Sequence, residues 1–150
     1  FDFSRPYFRL PGRFLAMRNE ASMPPITSPV GVLSGTRHEA FIRTYFKDIE
    51  AKSFETRQQL YTALTDKDIK ALFDDAMTAS FWLSSQASKN CCRFVGGTYY
   101  SDEYFGEGLR AAFKPGDEKT EALVNFALQQ IVRSGKIQEI YLKHFPVGFF

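Results

Sequence analysis

Short apolar runs alternate with longer stretches of helical period along this chain, and no other feature restricts its fold as much. "RFLAM" (residues 13–17), "VGVL" (30–33), "AKSF" (51–54), "IKALF" (69–73), "RFVGG" (93–97) and "LRAAF" (109–113) read as strands. Between them lie segments with apolar residues on one helical face. Phe41, Ile42, Tyr45 and Phe46 follow a start near Thr36, and Leu60, Ala63 and Leu64 lie in "ETRQQLYTALTD". Met77, Phe81 and Trp82 lie in "DDAMTASFWLSS". Strands separated by helices predict an α/β sheet built from crossover units. "RNEASMPPITSP" is a polar connection in which Pro24, Pro25 and Pro29 exclude regular helix, and "YYSDEYFGEG" is rich in turn residues. Two helices finish the chain, residues 118–134 and 136–144, parted at Gly135.

With 150 residues the chain fits one ordinary domain or two small lobes. Its 19 basic and 17 acidic residues are scattered without a basic stripe, which excludes nucleic acid as an expected partner. No run approaches the roughly 18 apolar residues of a membrane span. The first residues, "FDFSRPYF", are aromatic from Phe1 onward and read as a processed or partial chain. Adjacent Cys91 and Cys92 cannot close an ordinary loop, and read as plain thiols or a vicinal disulfide. They lack the spaced Cys or His companions of a zinc site. His38 and His144 are the only histidines, and no nucleophile motif of the Gly-x-Ser-x-Gly type occurs. No metal, cofactor or catalytic residue is therefore expected.

Two short motifs are candidate binding sites. In "SGTRHEAF" a small polar turn, Ser34-Gly35-Thr36, opens a helix. A helix N-terminus leaves backbone N–H groups unpaired and carries partial positive charge, so it seats a carboxylate or phosphate. Thr36 adds a hydroxyl and Gly35 allows close approach of the backbone, with Arg37 and His38 beside them. The plainer reading is that Ser34 or Thr36 caps its own helix, and spacing alone favours it. Asp74 and Asp75 stand where a strand is expected to end and a helix to begin, the place where open α/β sheets bind ligands. Asp is also a favoured cap, so one acid caps and the other faces the cleft in the dual reading. Tyr7 and Phe8, after Pro6, are candidates for a cleft wall.

Taken in order, "FDFSRPYF", "VGVLSGTRHEAF", "QQLYTALTDKDIKALFDD" and "YFGEGLRAAFKPGDEKTEALVNFALQQIVRSGKIQEIYLKHFP" resemble the later part of a type 2 periplasmic solute-binding protein of family 3. That family serves ABC importers of polar amino acids. The resemblance implies a periplasmic-binding-protein-like α/β fold of two lobes closing on one small ligand. Residues 1–20 would be a hinge-crossing segment and first-lobe remnant, 21–105 the second lobe, and 106–150 the return crossing and the first lobe's C-terminal helices. By this resemblance Gly35, Thr36 and the amide of Arg37 hold the ligand's α-carboxylate. Asp75 holds its α-ammonium, and His38 touches its side chain. Lys70 departs from the family's usual Asp, and Arg37 stands where a small hydroxyl residue is frequent.

The implied function is non-catalytic binding of a polar amino acid or an opine-like derivative in the periplasm, with the membrane subunits of an ABC transporter as partners. Rival readings from the same scaffold are a cyclohexadienyl-dehydratase-like enzyme and the sensor domain of a receptor. Most of the first lobe, with an arginine and an aromatic that contact the ligand, lacks a counterpart in these residues. Leu123, Phe126, Ala127, Ile131, Ile137, Ile140 and Tyr141 are therefore expected to form an exposed apolar face. A homo-oligomer or a dimer exchanging segments would cover it.

Overall fold

The computed structural model describes residues 1–20, 28–145 and 147–150. Pro24 and Pro25 of the expected polar connection lie outside the described residues. The strands are β1 (Asp2–Phe3), β2 (Gly12–Met17), β3 (Val30–Leu33), β4 (Ala51–Phe54), β5 (Ala71–Asp75), β6 (Cys92–Tyr99) and β7 (Ala112–Phe113). The helices are α1 (Arg37–Tyr45), α2 (Arg57–Thr65), α3 (Ala76–Ser84), α4 (Asp102–Phe105), α5 (Glu118–Arg133) and α6 (Lys136–His144).

Five strands form one sheet in the order β4-β3-β5-β2-β6. β3 runs parallel to β4 and β5, whereas β2 is antiparallel to both β5 and β6. The parallel part is the product of two crossovers: α1 returns the chain from β3 to β4, and α2 from β4 to β5. Each crossover helix has its own start signal. Thr36 accepts the Glu39 N–H at the head of α1, and Thr56 with Gln59 forms a reciprocal capping box at the head of α2. Asp75 caps α3 by accepting the Thr78 N–H.

The sheet is buried on both faces, as a sheet with parallel strands and helical crossovers must be. On one face Leu15 and Leu72 pack with Leu60, Tyr61 and Leu64 of α2 and with Ala79 and Leu83 of α3. On the other, Phe14, Val32 and Phe73 pack with Phe41 and Ile42 of α1. Gly31 in β3 admits the first of these layers. A Cβ there would lie 2.5 Å from Ile69 Cδ1 and 2.6 Å from Leu60 Cδ1, well inside contact distance.

Several elements differ from expectation. The strand expected at residues 69–73 is shifted, so that Asp74 and Asp75 are its last two residues rather than the junction beyond it. The strand expected at 109–113 is reduced to β7 plus an isolated bridge between Leu109 and Phe8. Its partner explains the break, because β1 spans two residues and Pro6 beyond it has no N–H to donate. The ladder is bridged instead by a side chain: Ser4 N donates to Ala111 O, and Ala111 N donates to Ser4 Oγ, both at 2.9 Å. "RFVGG" extends into the eight-residue β6, and the turn-rich passage contains α4, capped by Ser101.

Among the described residues α5 has no buried residue, and Leu123, Phe126, Ile131 and Ile140 are exposed as expected. Ile137 is half-buried, and Tyr141 departs furthest from expectation. It is buried among Ala76, Phe149, Phe8 and Phe145, because the chain after α6 folds back over it. Its hydroxyl accepts the Phe149 N–H at 2.6 Å. Ser80 Oγ donates to Val147 O at 2.6 Å and Arg13 Nη1 to Phe149 O at 2.8 Å, so the tail joins α6 to α3 and β2. Cys91 and Cys92 are joined as a vicinal disulfide at the start of β6.

Candidate functional site

β3 and β5 are adjacent and parallel, so their carboxyl ends lie on one edge of the sheet. Residues 34–36 leave β3 at that edge and lead into α1, while Asp75 ends β5 and opens α3. Four of the residues singled out in the first motif, Gly35, Thr36, Arg37 and His38, are thereby brought to the same edge as Asp75. Tyr7 lines an apolar hollow with Phe8, Met77 of the first turn of α3, Leu109, Ile137 and Ile140.

The turn is built for close approach. Gly35 has a φ of +72°, the left-handed region that glycine occupies without steric cost, and nothing lies near the position of a Cβ. The Gly35 N–H donates to Glu39 Oε2 at 2.8 Å, while Glu39 Oε1 accepts from Ser53 Oγ at 2.5 Å and from Arg43 Nη2 at 2.8 Å. These donors, Ser53 foremost, hold the Glu39 carboxyl below its usual range. The Thr36 hydroxyl is committed twice: it donates to Leu33 O at 2.7 Å and accepts from Glu39 N at 3.3 Å. It is therefore the cap that spacing favoured. The backbone N–H groups of Arg37 and His38, in the first turn of α1, have no partner among the described residues. Those amides are what this helix start offers to an anion.

The two side chains that follow point in different directions. Arg37 Nη1 donates to Glu103 O at 2.9 Å and ties α1 to α4. The His38 ring stacks on Phe105 with centroids 4.7 Å apart and an interplanar angle of 16°. Burial lowers the His38 pKa against the opposing pull of Asp74 and Asp75, so the imidazole is neutral at pH 7.

The acid pair divides its work differently from the dual reading. Asp75 itself caps α3, with Oδ1 accepting the Thr78 N–H at 2.7 Å. Its second oxygen has no partner among the described residues. Asp74 faces the opposite side of the sheet, as alternation along a strand requires, and is fully buried. It accepts from Arg57 Nε at 2.9 Å, Arg57 Nη2 at 3.3 Å, the Tyr61 hydroxyl at 2.9 Å and the Asp75 N–H at 2.8 Å. Four donors satisfy a carboxylate that would otherwise be costly to bury. Burial, followed by the Asp74 charge, pushes the Tyr61 phenol far above its ordinary range.

Sequence reasoning missed Arg57 and Tyr61. The available signal was weak: an arginine directly after the Thr56 cap, and two acids at a strand end where one suffices. It also missed Arg13, a buried guanidinium over the Phe94 ring at 4.9 Å that donates to Phe149 O and has no carboxylate partner among the described residues. Burial lowers its pKa. No group of acids, histidines and cysteines among the described residues is arranged to hold a metal, and no helix among them is long and apolar enough to cross a membrane.

The chain is similar to the arginine-binding periplasmic protein of Mannheimia haemolytica, 29% identical over 142 residues, covering 94% of this chain and 57% of that protein. It is 26% identical to the histidine-binding periplasmic protein of Escherichia coli K12 over 154 residues, covering 99% of this chain and 59% of the relative. It thus spans somewhat more than half the length of these curated relatives. Among solved structures, the L-cystine solute receptor of Neisseria gonorrhoeae in its unliganded open conformation matches with a TM-score of 0.76 at 16% identity, over 99% of this chain and 61% of that one. The fold is that of the type II periplasmic binding proteins. Residues 1–147 match the profile described as bacterial extracellular solute-binding proteins, family 3. With that match covering nearly the whole chain, the protein belongs to the family 3 extracellular solute-binding proteins.

Proposed function

We propose that this chain forms one wall of a cleft that binds a polar amino acid, or an opine-like derivative carrying the same α-groups, outside the cytoplasm for delivery to the membrane subunits of an ABC importer. The observation that carries the reading is the convergence of α1 and Asp75 on one sheet edge, at the ends of adjacent parallel strands. The α-carboxylate docks on the Arg37 N–H and its neighbours, where Gly35 leaves room for the approach. The α-ammonium pairs with the Asp75 oxygen that does not cap α3. His38, neutral and stacked on Phe105, lies against the ligand's side chain. In this reading residues 21–105 are the second lobe, and residues 1–20 and 106–150 belong to the crossings and the first lobe.

Binding without chemistry suits these groups. A dehydratase reading needs a cleft acid, yet Asp74 is sealed by Arg57 and Tyr61, and one Asp75 oxygen is bound to the Thr78 N–H. The test is a 15N-edited NMR titration of the 150-residue chain with a panel of amino acids at millimolar concentration, which detects weak binding. The amides of Gly35 to His38 and of Asp75 are expected to shift together and saturably. A panel in which no member moves them refutes the proposal.

A further inference from the structure

The site edge carries one cation that neither the motif nor the proposed backbone contacts use. Arg57 stands in the first turn of α2, at the carboxyl end of β4, the strand next to β3. Its Nε and Nη2 are fixed by Asp74, but Nη1 has no partner among the described residues and the side chain is 43% exposed. The other arginines nearby are spent. Arg37 reaches the Glu103 carbonyl, and Arg13 is buried against the tail. Arg57 is tied to the site through Asp74, which accepts from both Arg57 Nε and the Asp75 N–H.

Two of the acids at this edge are already bound. Asp74 is sealed. Glu39 is bound by Gly35, Ser53 and Arg43. Among the described residues one Asp75 oxygen has no partner, and it belongs to the ligand's ammonium in the proposed function; the exposed carboxylates of Glu55, two residues before Arg57, and of Glu103 also have none. A ligand side chain extending from the α1 turn to the head of α2 would meet the Arg57 Nη1 donor, which has no partner among the described residues. We propose that Arg57 determines the specificity of this cleft, selecting amino acids whose side chain ends in an oxygen acceptor, acidic above amide. This rests on the amino-acid reading of the site, and it departs from the arginine and histidine for which the relatives above are named.

Two features make Arg57 suited to the role. A guanidinium is a rigid fork, and two of its nitrogens are already held by a carboxylate that cannot move, so the third is aimed before ligand arrives. Asp74 behind it cancels much of the long-range field, and what remains is a short-range, charge-assisted hydrogen bond. A bond of that kind changes affinity by about tenfold.

The experiment titrates the 15N-labelled chain with L-glutamate, L-glutamine, L-arginine and L-alanine, following the amides of Gly35 to His38 and the Arg57 Nε–H signal. Alanine sets the affinity due to the α-groups alone. Glutamate is expected to bind about tenfold more tightly than alanine, with glutamine between them and arginine no tighter than alanine. R57Q combined with D74N, which avoids stranding a buried carboxylate, is expected to bring glutamate down to the alanine level and leave alanine unchanged. Arg57→Lys is expected to restore part of the preference.

Arginine binding as tightly as glutamate, or a preference that survives in the double variant, overturns the inference and leaves the amino-acid reading intact. Amides that no amino acid moves refute that reading and the inference with it. The ranking in the unmodified chain is decisive by itself if a variant fails to fold.

Discussion

Replacing Tyr61 by phenylalanine isolates one bond in the buried network beneath the site. The ring is buried and stacks on Trp82 with centroids 4.5 Å apart and an interplanar angle of 9°. Y61F retains that packing, so no cavity term enters. What is lost is the hydroxyl that donates to Asp74 at 2.9 Å. A hydrogen bond to a charged group contributes about 1.5–3 kcal/mol. Arg57 and the Asp75 N–H remain as donors, so the carboxylate is not orphaned and the lower part of that range applies, about 1.5–2 kcal/mol. In a urea titration followed by circular dichroism, with a slope of about 1–3 kcal/mol per molar, the midpoint falls by about 1 M at unchanged slope.

The same variant predicts a pH dependence of defined sign. Burial and Asp74 raise the folded-state pKa of Tyr61, while the unfolded chain titrates near 10. Above pH 10 the unfolded state releases the proton and the folded state keeps it, which favours unfolding by up to about 1.4 kcal/mol per pH unit. Y61F has no such proton. The stability gap between wild type and Y61F is therefore constant below pH 10 and narrows above it. A difference under about 0.5 kcal/mol at pH 7, within the usual range of surface substitutions, refutes the proposed bond. A gap that fails to narrow above pH 10 refutes the assigned shift.

The folded-state pKa of His38 is lowered by burial, so its contribution is present above pH 6.5 and is lost as pH falls through the folded value. NMR titration should give a midpoint below 6.5, and His38→Phe, which keeps a ring on Phe105, should flatten stability between pH 7 and 5. A midpoint at or above 6.5 contradicts this. Gly31→Ala forces a Cβ to within 2.6 Å of Ile69 and Leu60 side-chain atoms, and thermal or urea unfolding should show a loss of about 1–3 kcal/mol. Unchanged stability would mean that this layer is looser than described. Leu123 and Phe126 are 66% and 61% exposed on α5, so the 150-residue chain should associate at high concentration, and L123K/F126E should reduce association in light scattering. A monodisperse monomer at all concentrations counts against it.

Much of this was legible in the residues themselves. β3, β4 and α6 occupy the spans that apolar runs and helical period predict, and α1 starts at the threonine that the spacing marked. These are local matters: an apolar period and a hydroxyl that reaches the amide three residues on are contained in one short window. Strand ends were less legible, because a strand stops where its partner stops. The reduction of residues 109–113 to β7 follows from Pro6, more than a hundred positions away.

The motif "SGTRHEAF" and the order of its companions were enough to indicate the family and the sheet edge proposed as the site. Tertiary structure alone decided how the charges there are spent. Arg37, beside the turn in sequence, is committed to Glu103, whereas Arg57, distant in sequence, is brought to the same edge by a parallel crossover. Asp74 and Asp75 are neighbours with opposite fates, because successive side chains of a strand leave on opposite faces. One is sealed under α2 and the other is left open at the head of α3. The physical reason is common to these cases: propensity and capping act within a few residues, whereas burial and ion pairing depend on which distant segments the sheet order brings together.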